Sequence, residues 1–211
     1  MESLTAVVLA GGKSTRFGSD KASALLRGRP LLQWVLDATG GVAEAIVLVR
    51  ARGQVLPAVT SPLPLRVVED IYEARGPLAG LVAALEAVDT PLAFATSCDS
   101  PLLQPPLLRH LAEAAHDVDV VCPIVGGHPQ PLVAAYRPAT CLPVFRENVE
   151  RGQLRIVVAY AGLRRKTLTE EEARELDPGL RSFLNANTPE RLAEIDAACE
   201  RSRLKASPTN A

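Results

Sequence analysis

The stretch Leu9-Ala10-Gly11-Gly12-Lys13-Ser14-Thr15-Arg16-Phe17-Gly18-Ser19-Asp20-Lys21 follows an apolar run, Thr5–Leu9, that predicts a β-strand. Paired glycines let backbone N–H groups approach a ligand closely. Three cations, Lys13, Arg16 and Lys21, add the charge that a cluster of phosphates needs. The stretch therefore predicts a triphosphate-binding loop at the end of a strand, and the alternative is a solvated strand-to-helix turn.

Two common phosphate-binding motifs do not fit this loop. Gly12-Lys13-Ser14 matches the end of a P-loop, but Val7 occupies the position of the first glycine. A dinucleotide fingerprint that starts at Gly11 or at Gly12 lacks its second and third glycines. The loop is therefore of a different kind from either.

The first half of the chain alternates short apolar runs with helical patterns, which indicates a largely parallel sheet. The predicted strands are Thr5–Leu9, Ala45–Val49, Leu65–Val68 and Leu92–Thr96. Helices are predicted over Pro30–Ala38 and along the apolar stripe of Leu78, Leu81, Val82 and Leu85. We therefore expect an α/β fold with a Rossmann-like, mostly parallel sheet flanked by helices.

The second half predicts a small hairpin arm and a closing helix. A Gly126-Gly127 turn separates the strands Val118–Cys122 and Leu132–Tyr136 and follows a helix over Pro106–Ala115. Three further elements are predicted: a helical region over Leu142–Ala161 with a break near Gly152, a strand over Phe183–Asn185 and a helix over Pro189–Cys199. We expect one domain over residues 1–201 and a disordered tail over 202–211.

Composition narrows the classes of protein. With 211 residues, 47% hydrophobic, the chain can bury a substantial core. The formal net charge of −1 argues against extended nucleic-acid or anionic-membrane surfaces. The apolar run Ala6–Ala10 is too short for a signal peptide or a membrane span, so we expect a cytoplasmic protein. Four widely spaced cysteines predict reduced thiols, mostly buried.

Cys98-Asp99-Ser100-Pro101 is the second informative segment. It follows the predicted strand Leu92–Thr96, so Asp99 lies at the carboxyl edge of the sheet, where α/β proteins bind ligands. Mg²⁺ uses one or two carboxylates together with waters and phosphates, so Asp99 is a candidate metal ligand. From these residues alone, an Asx-turn or a helix cap before Pro101 remains an equal alternative.

Three further segments supply candidate site residues. Glu69-Asp70 ends a predicted strand, and Gly76-Pro77 and Gly80 follow it. Asp70 could equally be a solvated strand end, and Gly76-Pro77 a helix start. In Asn185-Ala186-Asn187-Thr188-Pro189, two amides project the same way if the backbone is extended, although Asn187 or Thr188 also suits a helix N-cap. His128 lies in a turn with two prolines, which by themselves account for the turn, and it is a further candidate.

These segments together resemble the molybdenum cofactor guanylyltransferases, whose loop reads Leu-Ala-Gly-Gly-x-Ser-x-Arg-Met-Gly-x-Asp-Lys. The chain departs from that loop at Phe17. It also has Cys-Asp-x-Pro, Gly-Pro-x-x-Gly and Asn-x-Asn-Thr-Pro segments like those of the family, so the similarity spreads from Leu9 to Pro189. Where relatives carry a Val-Asn-Ala-Asn-like run, this chain has Val49-Arg50-Ala51-Arg52.

The resemblance implies the fold of the nucleotide-diphospho-sugar transferases and a set of roles. Asp99 would hold Mg²⁺, with Lys21, Asp99 and Arg16 as catalytic residues. Residues that would bind GTP are Leu9, Ala10, Gly11, Gly12, Lys13, Lys21, Asp70, Gly76, Pro77, Gly80 and Asp99. Residues on the molybdopterin side would be His128, Asn185 and Asn187.

The reaction that the resemblance implies transfers GMP from GTP to molybdopterin carrying molybdenum and releases pyrophosphate. Transient contacts with other proteins of molybdenum cofactor biosynthesis are implied as well. One alternative is a sister enzyme that uses CTP on the same cofactor or activates a sugar or alditol phosphate. A second alternative is a protein that binds nucleotide or cofactor without catalysis.

Overall fold

The computed structural model describes residues 2–11, 20–72 and 75–206, with side chains as far as residue 199. Ten strands are found in this part of the chain: β1 (Leu4–Leu9), β2 (Leu25–Leu26), β3 (Arg29–Pro30), β4 (Ala45–Ala51), β5 (Leu65–Asp70), β6 (Leu92–Ser97), β7 (Val120–Val125), β8 (His128–Pro129), β9 (Val133–Tyr136) and β10 (Arg165–Leu168). The helices are α1 (Leu31–Gly40), α2 (Gly76–Leu85), α3 (Pro105–Ala114), α4 (Pro138–Glu150), α5 (Ile156–Ala159), α6 (Glu170–Leu176) and α7 (Pro189–Ala206).

The central sheet has the order β10-β7-β9-β6-β1-β4-β5, and β8 pairs with β7 outside this path. Strands β6, β1, β4 and β5 are mutually parallel, whereas β9 is antiparallel to both β6 and β7. This is the mostly parallel sheet flanked by helices that the alternating pattern predicts, so the expected fold class is confirmed.

Strand β1 shows why its sequence is continuously apolar. Ala6 and Val8 pack into the core that includes residues of α1 and α3, whereas Val7 and Leu9 pack into the core that includes residues of α2 and α4. Because successive side chains of a strand point to opposite faces, a strand covered on both sides needs apolar residues throughout. All six residues of β1 are buried, and the glycine loop therefore starts from the centre of the sheet.

The predicted Gly126-Gly127 turn is present, but the strand directly after it is the short β8; the strand predicted over Leu132–Tyr136 follows as β9 and is antiparallel to β7. Gly126 and Gly127 have φ of 60° and 75°, and they join β7 to β8 with Val125 opposite His128. Positive φ at both central residues is characteristic of a type I′ turn and explains the glycine pair.

The predicted strand over Phe183–Asn185 is wrong. Residues Arg181–Phe183 form a 3₁₀ turn, and an irregular segment follows it. Side chains satisfy the backbone here: Asp177 accepts from the Ser182 N–H at 2.7 Å, and the Ser182 hydroxyl accepts from the Gln104 N–H at 2.9 Å. With those partners, the segment needs no sheet neighbour.

Strand β10 and helix α6 have no counterpart among the sequence predictions, and neither do the two-residue strands β2, β3 and β8. The last helix also runs past the predicted end at Cys199 to Ala206, so the start of the predicted disordered tail, residues 202–206, is helical. Residues 202–206 are mostly good helix formers, and the next helix-breaking residue in the sequence is Pro208. None of the described helices is long and apolar enough to cross a membrane.

Candidate functional site

The carboxyl ends of the parallel strands bring the predicted segments to one edge of the sheet. Leu9, the last residue of β1, pairs with Val49 of β4 and with Ser97 of β6. Ala51 of β4 pairs in turn with Asp70, the last residue of β5. The glycine loop, Asp70 and the Cys98-Asp99 segment therefore leave the sheet on the same side.

Lys21 lies at the centre of this edge. It begins a 3₁₀ turn, Lys21–Ser23, that Asp20 caps by accepting a hydrogen bond from the Ala22 N–H at 3.1 Å. The Lys21 ammonium donates to Asp99 Oδ2 at 2.9 Å and to Asn187 Oδ1 at 2.7 Å. Residues that are far apart in sequence thus meet at one cation.

Asp99 is largely buried, with 9% of its surface exposed. Besides the ammonium of Lys21, its carboxylate accepts a hydrogen bond from the Ser97 hydroxyl through Oδ1. Helix α3 begins only at Pro105 with Gln104 as its N-cap, so Asp99 does not cap that helix. Its carboxylate instead faces the end of the glycine loop.

The segment that follows the second 3₁₀ turn, Arg181–Phe183, packs against Asp99. The Ala186 N–H donates to the Asp99 carbonyl at 2.8 Å, and the Ser100 hydroxyl donates to Asn185 Oδ1 at 2.9 Å. Thr188 caps α7 by accepting from the Arg191 N–H at 3.2 Å. Thr188 is therefore the residue that caps α7. The Asn187 side chain does not cap the helix and instead accepts a hydrogen bond from Lys21.

Asp70 forms an Asx-type contact, since its Oδ1 accepts from the Tyr72 N–H at 3.0 Å. A Cβ atom at Gly80 would lie 3.9 Å from Asp70 Oδ2, so α2 passes close to this carboxylate. Gly76 begins α2 with φ of 72°, and Pro77 occupies a first-turn position that suits proline. Asp70 therefore lies beside Gly80, and Gly76 and Pro77 begin the same helix; we refer to these four residues as the wall.

The glycine loop is described only at its two ends. Leu9 is buried at the end of β1, and the N–H groups of Ala10 and Gly11 both donate to the Val49 carbonyl, at 2.8 and 3.2 Å. A Cβ atom at Gly11 would lie 2.7 Å from the Ala51 nitrogen, which requires glycine there. The predicted contacts of Gly12, Lys13 and Arg16 lie outside the described residues.

Arg50 does not face the site as a free cation. Its guanidinium donates to Glu69 Oε1 at 2.9 Å and to the Gln54 carbonyl at 3.2 Å. Gln54 in turn contacts both ends of the glycine loop, at Ala10 and Asp20. Sequence reasoning missed Gln54, because a glutamine in a turn after a strand carries no motif.

His128 lies exposed on β8 of the hairpin arm. The role predicted for it on the pterin side stays a prediction.

The four cysteines are free, with Cys98, Cys122 and Cys141 buried, as the sequence predicts. Burial raises the pKa of the Cys98 thiol far above its ordinary value, so Cys98 is a neutral neighbour of Asp99. The described residues contain no group of three or more His, Cys, Asp or Glu side chains that could hold a metal ion.

A glycine loop, a lysine and a buried carboxylate at the carboxyl edge of such a sheet suit the transfer of a nucleotidyl group. The fold matches 2-C-methyl-D-erythritol 4-phosphate cytidylyltransferase from Thermus thermophilus, with a TM-score of 0.69 and 18% identity over 95% of this chain and 100% of that one. The chain therefore has the fold of the nucleotidyltransferases.

Closer similarity defines the family. The crystal structure of molybdopterin-guanine dinucleotide biosynthesis protein A from Archaeoglobus fulgidus has a TM-score of 0.76 and 25% identity, over 93% of this chain and 99% of that one. A molybdenum cofactor guanylyltransferase from Desulfosudis oleivorans is 32% identical over 97% of this chain and 100% of its own length. A family model, the MobA-like NTP transferase domain, matches residues 6–168, and the chain belongs to this family. The predicted family is confirmed.

Proposed function

We propose that this enzyme transfers GMP from GTP to the terminal phosphate of molybdopterin carrying molybdenum and forms the guanine dinucleotide cofactor and pyrophosphate. The observation that carries the proposal is the contact of Lys21 with Asp99 and Asn187 at the end of the glycine loop. These contacts hold a cation at the sheet edge where α/β proteins bind ligands. The family and the curated relatives support the choice of GTP and molybdopterin as substrates.

In this reaction an oxygen of the molybdopterin phosphate attacks the α-phosphorus of GTP. The new P–O bond forms as the bond from the α-phosphorus to the bridging oxygen breaks, and pyrophosphate takes that electron pair. The attacking phosphate is already ionised, so no protein group needs to remove a proton. The protein has to align the two phosphates and stabilise the charge on the leaving group.

Lys21 suits the second task because its ammonium can donate to phosphate oxygens in place of the Asp99 carboxylate. Asn187 supports the same ammonium, and Asn185 is held close by through Ser100. Lys13, Arg16 and the amides of Gly11 and Gly12 would add donors from the loop. Electrostatic stabilisation of this kind is usually the largest contribution to such catalysis.

Asp70, Gly76, Pro77 and Gly80 form the wall that we assign to the nucleoside. Asp70 offers a carboxylate for hydrogen bonds, and Gly80, without a side chain, leaves room beside it. On the acceptor side, we assign the exposed His128 of the hairpin arm, together with Asn185 and Asn187, to the molybdopterin.

Magnesium fits the donor set at this edge. Asp99 is a buried hard oxygen ligand, and its partner Lys21 is a cation that phosphates can draw away. Asp99 would hold the ion, which would neutralise charge on the nucleotide phosphates.

The experiment measures pyrophosphate release from GTP with and without molybdopterin. We expect release only with molybdopterin, a loss of about 10²–10³-fold in kcat/KM for Lys21→Met, and little change for the control Lys166→Met. Lys166 is exposed on β10. Lys166→Met therefore makes the same chemical change away from the site. Turnover with CTP but not GTP would favour the cytidylyltransferase alternative, and binding without turnover would favour a carrier protein. A cytoplasmic location and transient contacts with cofactor-biosynthesis proteins remain predictions.

A further inference from the structure

Gln54 connects the two ends of the glycine loop. Its Nε2 group donates to the Ala10 carbonyl at 3.1 Å and to both carboxylate oxygens of Asp20 at 3.0 Å. Its Oε1 accepts from the Ala51 N–H at 2.8 Å. One amide hydrogen can serve Ala10 while the other is shared by the two Asp20 oxygens, so the side chain uses its full donor capacity.

We propose that Gln54 is a positioning residue that closes the base of the glycine loop and sets the place of Lys21. Gln54 orients the Asp20 carboxylate, which caps the 3₁₀ turn through the Ala22 N–H. Lys21 is the first residue of that turn, and its ammonium reaches Asp99. The inference rests on the proposed function for its effect on GTP, but not for its effect on the loop.

The main chain of Gln54 is fixed by a residue of the sheet, Arg50 of β4. Arg50 donates to the Gln54 carbonyl at 3.2 Å while it pairs with Glu69 at 2.9 Å. The Arg50–Glu69 pair joins neighbouring strands, because these two residues are partners in the β4–β5 register. Both the main chain and the side chain of Gln54 are thus fixed, and a fixed side chain can transmit position to the loop.

Only a neutral amide suits these partners. Glutamate would place a second carboxylate against Asp20, and leucine would fill a similar volume without any hydrogen bond. Two adjacent carboxylates raise the pKa of one of them, so Gln54→Glu would be protonated at mildly acidic pH. Its acid O–H could then donate to Asp20, although the bond to Ala10 would remain lost.

The test uses Gln54→Leu and Gln54→Glu in the full chain, with Gln153→Leu as the matched control because Gln153 is exposed elsewhere. Hydrogen exchange is measured without ligand at amides 10–11 and 20–24, and kcat and KM for GTP are measured with molybdopterin. For Gln54→Leu we expect exchange about 10-fold faster at these amides, and a rise of about 10-fold in KM that exceeds the change in kcat. The control should match the parent chain.

For Gln54→Glu we expect the KM for GTP, relative to the parent chain at each pH, to fall as the pH decreases from about 8 to about 5.5. A glutamate with a merely structural effect would show no such recovery. Unchanged exchange in Gln54→Leu, or faster exchange with an unchanged KM, would overturn the inference. If the parent chain fails to turn over GTP, the proposed function fails, yet the exchange measurement still decides whether Gln54 closes the loop.

Discussion

Replacing Asp99 by asparagine should change GTP affinity in opposite directions with and without Mg²⁺. The Asp99 carboxylate holds the Lys21 ammonium at 2.9 Å. A triphosphate that binds Lys21 must compete with this carboxylate for the ammonium. The negative charge of the carboxylate also repels the triphosphate. Asp99→Asn removes both obstacles and, in the same change, removes the proposed metal ligand.

The size of the effect follows from the geometry. A phosphate oxygen bound to the Lys21 ammonium would lie about 4–6 Å from the carboxylate, since that carboxylate is itself in contact with the ammonium. Two unit charges at about 4 Å interact by about 4 kcal/mol at an effective dielectric constant near 20. Screening at a partly exposed site lowers this to about 1–2 kcal/mol, which is about 5–30-fold in affinity.

Calorimetric titration with GTP provides the assay, once in EDTA and once in Mg²⁺. In EDTA we expect Asp99→Asn to bind GTP about 5–30-fold more tightly than the parent chain. In Mg²⁺ the variant should bind GTP more weakly than the parent chain, because only the parent chain keeps the proposed metal ligand, and turnover by the variant should fall by about 100-fold or more. The variant should fold, because the Ala186 N–H bonds to the main-chain carbonyl of residue 99.

The control is Asp89→Asn, which makes the same change of charge at an exposed position before the opposite end of β6. It should leave GTP affinity unaltered in both buffers. Weaker binding of GTP to Asp99→Asn in EDTA would refute the reasoning, since Asp99 would then support the nucleotide without any metal.

Two more substitutions separate stability from function. Gly80→Ala places its Cβ at ordinary contact distances from Leu9, so thermal denaturation should show about 1 kcal/mol of added stability, while GTP titration should show about 10-fold weaker binding if Gly80 lines the nucleoside wall. Asp119 accepts hydrogen bonds from Arg164, which hold the pKa of its carboxyl below the usual range, and from Thr140. Asp119→Asn should therefore cost about 1–3 kcal/mol in urea unfolding at neutral pH. Because the pKa of Asp119 is lowered in the folded state, the difference in the free energy of unfolding between the parent chain and the variant should be complete above about pH 5. It should shrink as the pH falls below about 4. A difference that grew toward low pH would contradict this assignment.

The sequence predicts best those elements whose pattern is set locally. Strand β1 is apolar throughout because both of its faces are covered, and Gly126-Gly127 forms a turn because both residues need positive φ. Parallel strands end at one edge of the sheet, so the sequence alone predicts that Asp99, directly after a strand, lies at that edge.

Contacts between distant segments were not predictable. The 3₁₀ turn at Arg181–Phe183 replaces the expected strand because Ser182 bonds to Gln104, and Gln104 is not close to it in sequence. Gln54 meets Ala10 and Asp20 across 44 and 34 residues, with no motif to indicate it. The wrong strand and the missed residue have the same cause, since side-chain partners from elsewhere in the fold decided the local structure.

The contact of Lys21 with Asn187 spans 166 positions of the chain, and the contact with Asp99 spans 78. During synthesis the amino-terminal part leaves the ribosome first, so a growing chain carries its loop and its aspartate well before Asn187 exists. The site is completed only when that late segment has been made and has docked on Asp99. Unfinished chains therefore lack these contacts, and we expect turnover only from molecules whose synthesis has passed residue 187.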